Sequence, residues 1–200
     1  MNDIREWFPS LDPASLRAHA LGARWRDYKA HDGQVYNRVA TCGVPGLHEA
    51  IEAVYGPVLM LGSGYRLNYE GEQPNHAIHI DRDWGTHACV LYLSSFKLLA
   101  ERGQHELPHG TGQDVSTGTA FWEYAGDTPS DPESGTDDPS QWNLSYLCHE
   151  EVGKAVGYPS NIYHSRWPLG AYGDSPETGR LIAVGFFSPL ECSVGSSGSC

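Results

Sequence analysis

Two histidines and one aspartate carry the strongest chemical signal in this chain. Within Asn75-His76-Ala77-Ile78-His79-Ile80-Asp81, an extended backbone would put His79 and Asp81 on one face and Ile78 and Ile80 on the other. An imidazole and a carboxylate would then reach one ion. Chance placement of ten histidines and twelve aspartates in 200 residues gives about 0.6 His-x-Asp pairs, so the pair alone decides little. Far downstream, Ser160-Asn161-Ile162-Tyr163-His164-Ser165 offers another imidazole. Two neutral histidines and one carboxylate, with the other coordination positions open, suit non-haem Fe(II). Sixteen residues beyond His164, Arg180 opens a strand-like run in which Ile182 and Val184 share its face. A buried guanidinium needs a carboxylate partner, and a dicarboxylic cosubstrate would supply one.

Other titratable residues fit the constellation less well. His87 alternates with Cys89 and Leu91, opposite Tyr92, and His76 is out of phase with His79. His149-Glu150-Glu151 repeats a His-x-acid spacing too close to His164, and Arg166 would have to share the strand end of His164. His19, His31, His48, His105 and His109 fall in helix or loop text and read as surface residues.

The elements that must position these residues change character along the chain. Ser10-Leu11-Asp12-Pro13 marks a helix start before Ala14 to Leu21, and Pro45 to Tyr55 places Leu47, Ile51 and Val54 on one face before Gly56. After Gly56, short runs of β-branched, aromatic and aliphatic residues alternate with Gly, Pro and Asn, which predicts strands. These runs are Val58–Met60, Tyr65–Tyr69, Ala77–Asp81, Ala88–Leu93, Thr119–Tyr124, Trp142–Leu147, Val152–Tyr163 and Leu181–Phe187. Residues 126–140 hold five acidic residues, three prolines and no large apolar residue, so they read as a loop that could serve as a lid. One domain over 1–190 is expected, with a flexible Gly/Ser-rich tail over 191–200. Helices followed by about eight strands predict a mainly β fold, a jelly-roll barrel with N-terminal helices packed on one sheet.

A net charge of −12 disfavours nucleic acid and anionic membrane as partners. The opening residues Met1 to Trp7 lack the layout of a secretory signal, and no apolar run is long enough to span a bilayer. A cytoplasmic location is expected. Five scattered cysteines without a Cys-x-x-Cys pair read as free thiols.

Taken in order, these residues resemble the 2-oxoglutarate- and Fe(II)-dependent oxygenases, in particular their prolyl-hydroxylase-like branch. The resemblance runs from Tyr65 to Ser188. It rests on Tyr69, His79-Ile80-Asp81, Val90-Leu91-Tyr92-Leu93, Gly118-Thr119-Ala120-Phe121-Trp122, His164 and Arg180. Arg180 lies further beyond the distal histidine than is usual in the family, after an enlarged loop. The resemblance implies a double-stranded β-helix that holds Fe(II) through His79, Asp81 and His164. Arg180 would clamp the distal carboxylate of 2-oxoglutarate, with Tyr92 and Tyr69 as further donors. Dioxygen is the remaining cosubstrate, and succinate and carbon dioxide are released.

Trp84 and Trp167 flank the two ligand segments and are candidate substrate residues. Halogenating relatives carry a small residue in place of the carboxylate, so Asp81 implies hydroxylation or a related oxidation, desaturation and cyclisation included. The expected substrate is a small metabolite or an amino acid, free or carrier-bound, ahead of a peptide or protein side chain. A cupin-like binding module without turnover is the alternative from another class. The sequence leaves the oligomeric state open.

Overall fold

The computed structural model describes residues 3–29, 35–69, 78–94, 117–126, 141–167 and 175–190. The acidic stretch beyond Gly126, the tail 191–200, and His31, His76, His105 and His109 lie outside the described residues. Among the described residues, ten strands and two helices occur in the order β1 (Arg5–Trp7), α1 (Pro13–Leu21), β2 (Arg26–Lys29), β3 (Val35–Ala40), α2 (Leu47–Tyr55) and β4 (Val58–Asn68). A one-turn 3₁₀ helix (Arg82–Trp84) then leads to β5 (His87–Tyr92), β6 (Gly118–Tyr124), β7 (Trp142–His149), β8 (Ala155–Pro159), β9 (His164–Trp167) and β10 (Arg180–Pro189).

Local chemistry explains both helices. The Asp12 side chain accepts from the backbone N–H groups of Ala14 (3.1 Å) and Ser15 (3.2 Å), and Pro13 occupies the first turn, where no N–H is needed. Gly46 and Gly56, both at φ 74°, bracket α2 in a conformation that glycine adopts without strain. The two helices bury Leu16, Ala20, Leu47 and Ile51 against one face of the large sheet.

β2–β3, β3–β4 and β6–β7 pair as sequence neighbours, but the central strands pair out of sequence order, as a β-helix does. The large sheet has the strand order β1-β8-β5-β10-β4-β3-β2, and the small one β7-β6-β9. Period-two alternation divides β5 and β10 between two cores. Cys89, Leu91, Leu181 and Ala183 face the helices, whereas Val90, Tyr92 and Ile182 face the small sheet and pack with Phe121 and Tyr158. Each fully buried Leu or Phe side chain contributes ~1.5–3 kcal/mol, so the helix-side core braces the sheet while the other face is left to form the barrel interior.

Four expectations are corrected. The N-terminal third is not only helical, because β1, β2 and β3 extend the large sheet on both edges. Val58–Met60 and the run from Tyr65 as far as Asn68 belong to one strand, β4, whose glycines at 62 and 64 interrupt its composition but not its pairing with β10. The run Val152–Tyr163 contains a turn before the shorter strand β8. The segment ending at Asp81 is no regular strand among the described residues: His79 makes one antiparallel bridge to His164, and Asp81 (φ −105°, ψ 32°) already starts the 3₁₀ turn.

Candidate metal centre and its cavity

Backbone pairing brings the two histidines together. His79 N–H donates to the His164 carbonyl (3.0 Å) and His164 N–H returns a bond to the His79 carbonyl (2.9 Å), which sets the rings 4.5 Å apart. Asp81 N–H donates to the Ser160 carbonyl (2.8 Å), so the carboxylate is anchored to the loop that also carries His164. One ligand atom from each of His79, Asp81 and His164 lies within 4.8 Å of the others. Asp81 Oδ2 is 3.1 Å from His164 Nε2, and Asp81 Oδ1 is 3.7 Å from His79 Nε2.

Burial alone would raise the Asp81 carboxyl, but the charge and hydrogen bond of His164, with His79 and Arg66, hold it below the usual carboxylate value. Burial also opposes a charged His164, yet the Asp81 carboxylate beside it and the Ile162 carbonyl push its pKa above the ordinary value. His164 Nδ1 lies 2.9 Å from that carbonyl and donates to it, so Nε2 is the nitrogen left to bond Asp81 when protonated or to ligate a metal when neutral.

The three side chains border a cavity of about 310 Å³. Its floor is the inward face of two paired strands. Arg180, Ile182, Val184 and Phe186 of β10 stand beside Asn68, Arg66, Gly64 and Gly62 of β4, pair by pair in register. Val90 of β5 adds an apolar patch and Thr119 of β6 a hydroxyl. Tyr28, Tyr36 and Trp84 stand at the rim.

Arg180 is buried, and its carboxylate partner comes from the chain itself. Nε donates to Glu150 Oε2 (3.0 Å) and Nη2 to the Gly118 carbonyl (3.2 Å). Burial raises the Glu150 carboxyl above its ordinary range although Arg180 opposes the shift. Tyr92 lies one layer below: its ring is 5.7 Å from the guanidinium and its hydroxyl donates to Thr119 Oγ1 (2.8 Å), so it meets the cavity through Thr119. Tyr69 is placed by alternation on the helix side of β4, with Tyr65 and Leu67, and its ring stacks under the Arg38 guanidinium at 3.4 Å. Of the two tryptophans, Trp84 borders the cavity, whereas Trp167 packs on Trp122 (5.8 Å) on the outer face of the small sheet.

Arg66, Asn68, Tyr28, Tyr36 and Phe186 belong to no motif that the sequence displays. The alternation Gly62, Gly64, Arg66, Asn68 against Tyr65 and Leu67 is the available signal for the first two: polar residues on one face of an otherwise apolar strand. Arg166 shares the His164 strand, and for that reason it borders the cavity.

No protein-family model and no curated protein matches the sequence. Solved structures do match by fold. A structure of the non-heme alpha ketoglutarate dependent epimerase SnoN from nogalamycin biosynthesis superposes with a TM-score of 0.56 at 13% identity, over 92% of this chain and 77% of that one. SnoN in complex with Fe3+, alpha ketoglutarate and nogalamycin RO gives 0.53 at 12% identity, over 92% and 78%. EvdMO1 gives 0.53 at 14% identity, over 92% of this chain but 46% of its own length, so this chain spans less than half of that protein. At such identities the likeness is one of fold, and together with the strand order it makes this chain a double-stranded β-helix of the kind found in 2-oxoglutarate-dependent non-haem iron enzymes.

Proposed function

We propose that the chain is an Fe(II)- and 2-oxoglutarate-dependent oxygenase that hydroxylates an unactivated C–H bond of a small molecule. The observation that carries this reading is the convergence of His79, Asp81 and His164 at one end of the cavity, their ligand atoms within 4.8 Å of one another. The donor set fits the metal. Two imidazole nitrogens and one carboxylate suit Fe(II) with open positions, and the Ile162 carbonyl already selects the ligating tautomer of His164. When bound, iron would allow dioxygen to act as the oxidant, with two electrons taken from 2-oxoglutarate, which leaves as succinate and carbon dioxide, and two from the substrate C–H bond.

The chain's own residues divide the remaining work. Asp81 is ionised at neutral pH and would balance the charge of a bound metal. Glu150 and the Gly118 carbonyl hold the Arg180 guanidinium against the cavity, where it would meet the distal carboxylate of the cosubstrate in a charge-assisted pair. Asn68 and Thr119 border the same region and can donate hydrogen bonds, with Tyr92 holding Thr119. Val90, Ile182 and Val184 give the cavity an apolar lining, which would limit water beside a bound metal.

A small-molecule substrate is favoured over the peptide side chain of the prolyl-hydroxylase-like branch, because the SnoN structure that superposes over 92% of this chain holds a small natural product. Purified protein reconstituted with Fe(II) and given 2-oxoglutarate in air should release succinate slowly without substrate, and His164→Ala should not. Absence of succinate from a protein that binds Fe(II) would leave the binding-module reading standing.

A further inference from the structure

We infer that the β2–β3 hairpin, Trp84 and Phe186 form a slot for a planar conjugated ring of the substrate. The inference rests on the oxygenase reading for turnover of the bound ring, but not for binding itself. Four rings run in sequence along one side of the cavity. Tyr36 and Tyr28 are 6.4 Å apart, Tyr28 meets Trp84 edge-on at 5.9 Å, and Trp84 lies over Phe186 at 5.4 Å. These are the spacings at which aromatic rings attract one another in offset or edge-to-face arrangement, so another flat ring can extend the series. Trp84 N–H donates to the Asp81 carbonyl (3.0 Å), which starts the slot one turn from the candidate metal ligand.

The floor of the slot is kept flat by a missing side chain. Gly62 pairs with Phe186, and a Cβ placed there would meet nothing within 4 Å. Gly64, one pair further on, differs: a Cβ there would stand 2.5 Å from the Ala40 carbonyl oxygen. Packing therefore requires glycine at 64 but not at 62, where its consequence is open space beside a phenyl ring.

Backbone geometry aims the wall. Arg26 and Tyr28 on β2 pair with Val39 and Tyr36 on β3, so two steps on one strand face three on the other, which is a β-bulge. In a regular strand Tyr36 and Val39 would point to opposite faces; here both border the cavity. The extra residue is accommodated at Arg38, whose φ of 53° is rare for a non-glycine residue and whose N–H donates to Asp27 Oδ1 (3.1 Å). Its guanidinium also donates to the Tyr69 carbonyl (3.0 Å). Arg66, 5.1 Å from the Tyr36 ring, backs that ring from the barrel side. A bulge clamped in this way re-aims one tyrosine into a cavity, which is a positioning role for Asp27 and Arg38.

The test is a titration of the full chain with 2-naphthol, monitored by tryptophan emission and equilibrium dialysis, with cyclohexanol as the non-planar comparison. Saturable binding of 2-naphthol and none of cyclohexanol at equal concentration is expected. Gly62→Val should weaken it at least about tenfold by filling the slot, and Tyr36→Ala about two- to twelvefold through loss of one aromatic contact. Arg38→Gly, which keeps the positive φ but loses the bond to the Tyr69 carbonyl, should weaken binding less than Arg38→Val, which should behave like Tyr36→Ala. Melting curves check that each variant is folded, and Phe186→Leu replaces Gly62→Val if that variant is not. Equal binding of the two alcohols, or parental affinity in folded Gly62→Val (or its replacement) and Tyr36→Ala, overturns the slot. No iron is needed for the titration, so a protein that binds 2-naphthol as described but never releases succinate refutes the oxygenase reading and leaves the slot intact.

Discussion

Replacing Arg180 by alanine should do two separable things. The guanidinium and the Glu150 carboxylate are 3% and 1% exposed and meet at 3.0 Å, so the substitution strands a buried carboxylate. Breaking a buried pair from one side costs about 3–5 kcal/mol. A chain of this size loses about 2–4 °C of melting temperature per kcal/mol, so the variant should melt roughly 6–20 °C lower at neutral pH. The loss has a pH signature. Burial already raises the Glu150 carboxyl above its ordinary value near 4.5, and without Arg180 it rises further. A carboxyl with a raised folded pKa favours the folded state below its unfolded value and gives up that advantage as pH climbs through the folded one. The gap between variant and parent should therefore narrow toward pH 5 and widen toward pH 8.

The second effect concerns the cosubstrate, where loss of a charge-assisted contact of about 1.5–3 kcal/mol raises the apparent KM for 2-oxoglutarate roughly 10- to 150-fold. Arg180→Ala/Glu150→Gln separates the two. Neutralising the stranded acid should recover most of the melting temperature and none of the affinity for 2-oxoglutarate. Thermal melts by circular dichroism and succinate release read the two outcomes. A single variant that melts within 2 °C of the parent, or a double variant with parental KM, would refute the reasoning.

The metal centre gives three further expectations. His79→Ala and His164→Ala should each abolish Fe(II)-dependent succinate release while keeping a cooperative melt, and Zn(II) or Co(II) should bind and inhibit; full turnover in His164→Ala would exclude it as a ligand. The stabilisation from the metal-free pair is fully present between the ordinary values of 3.8 for Asp and 6.5 for His, and is lost as pH falls through the lowered Asp81 value or rises through the raised His164 value. Metal binding needs neutral imidazole, so Co(II) affinity should rise with pH through the His164 value with release of a proton, and pH-independent affinity from 6 to 8 would contradict this. With Asp81 at the position that halogenating enzymes leave open, product mass should show a gain of one oxygen, or a loss of two hydrogens for desaturation or cyclisation. A chlorinated product in chloride buffer would mean that Asp81 is not a ligand.

The parts of the site legible in the sequence are those whose signals are local. His79 and Asp81 announce themselves by spacing, and the two helices by Asp12, Pro13 and Gly56. His79 and Asp81 converge although their segment is not a regular strand, because a single bridge to His164 and the bond from Asp81 N–H to the Ser160 carbonyl replace the pleat that alternation assumes. Long-range partners leave no such trace. Glu150 sits 30 residues from Arg180 in a His-x-acid run that resembles a weaker copy of the metal motif, and only the pairing of β6 with β7 carries it to the arginine. Tyr36 is illegible for a different reason: its face is set by a one-residue bulge, and a slip of one residue inverts every assignment made from alternation.

That contrast bears on how the site is built. The candidate ligands lie at the rim of the small sheet and in the turn beside it, whereas Arg180, Phe186 and Gly62 lie on the two central strands of the large sheet, which the helices brace from behind. Arg180 is thus fixed by an ion pair within the core, and the candidate ring slot by the register of β10 on β4. Among the described residues, the β2–β3 pair at the sheet edge meets β4 through two paired residues, Val39 and Ala40, and lies outside the barrel's closure. An edge hairpin can change its bulge without disturbing the ligand geometry, so substrate preference can vary there while the metal chemistry stays fixed. Asp27→Ala, which removes the bulge's side-chain acceptor, should accordingly alter 2-naphthol affinity and leave Co(II) affinity at the parental value; a matching loss in both would show that hairpin and metal centre are one cooperative unit.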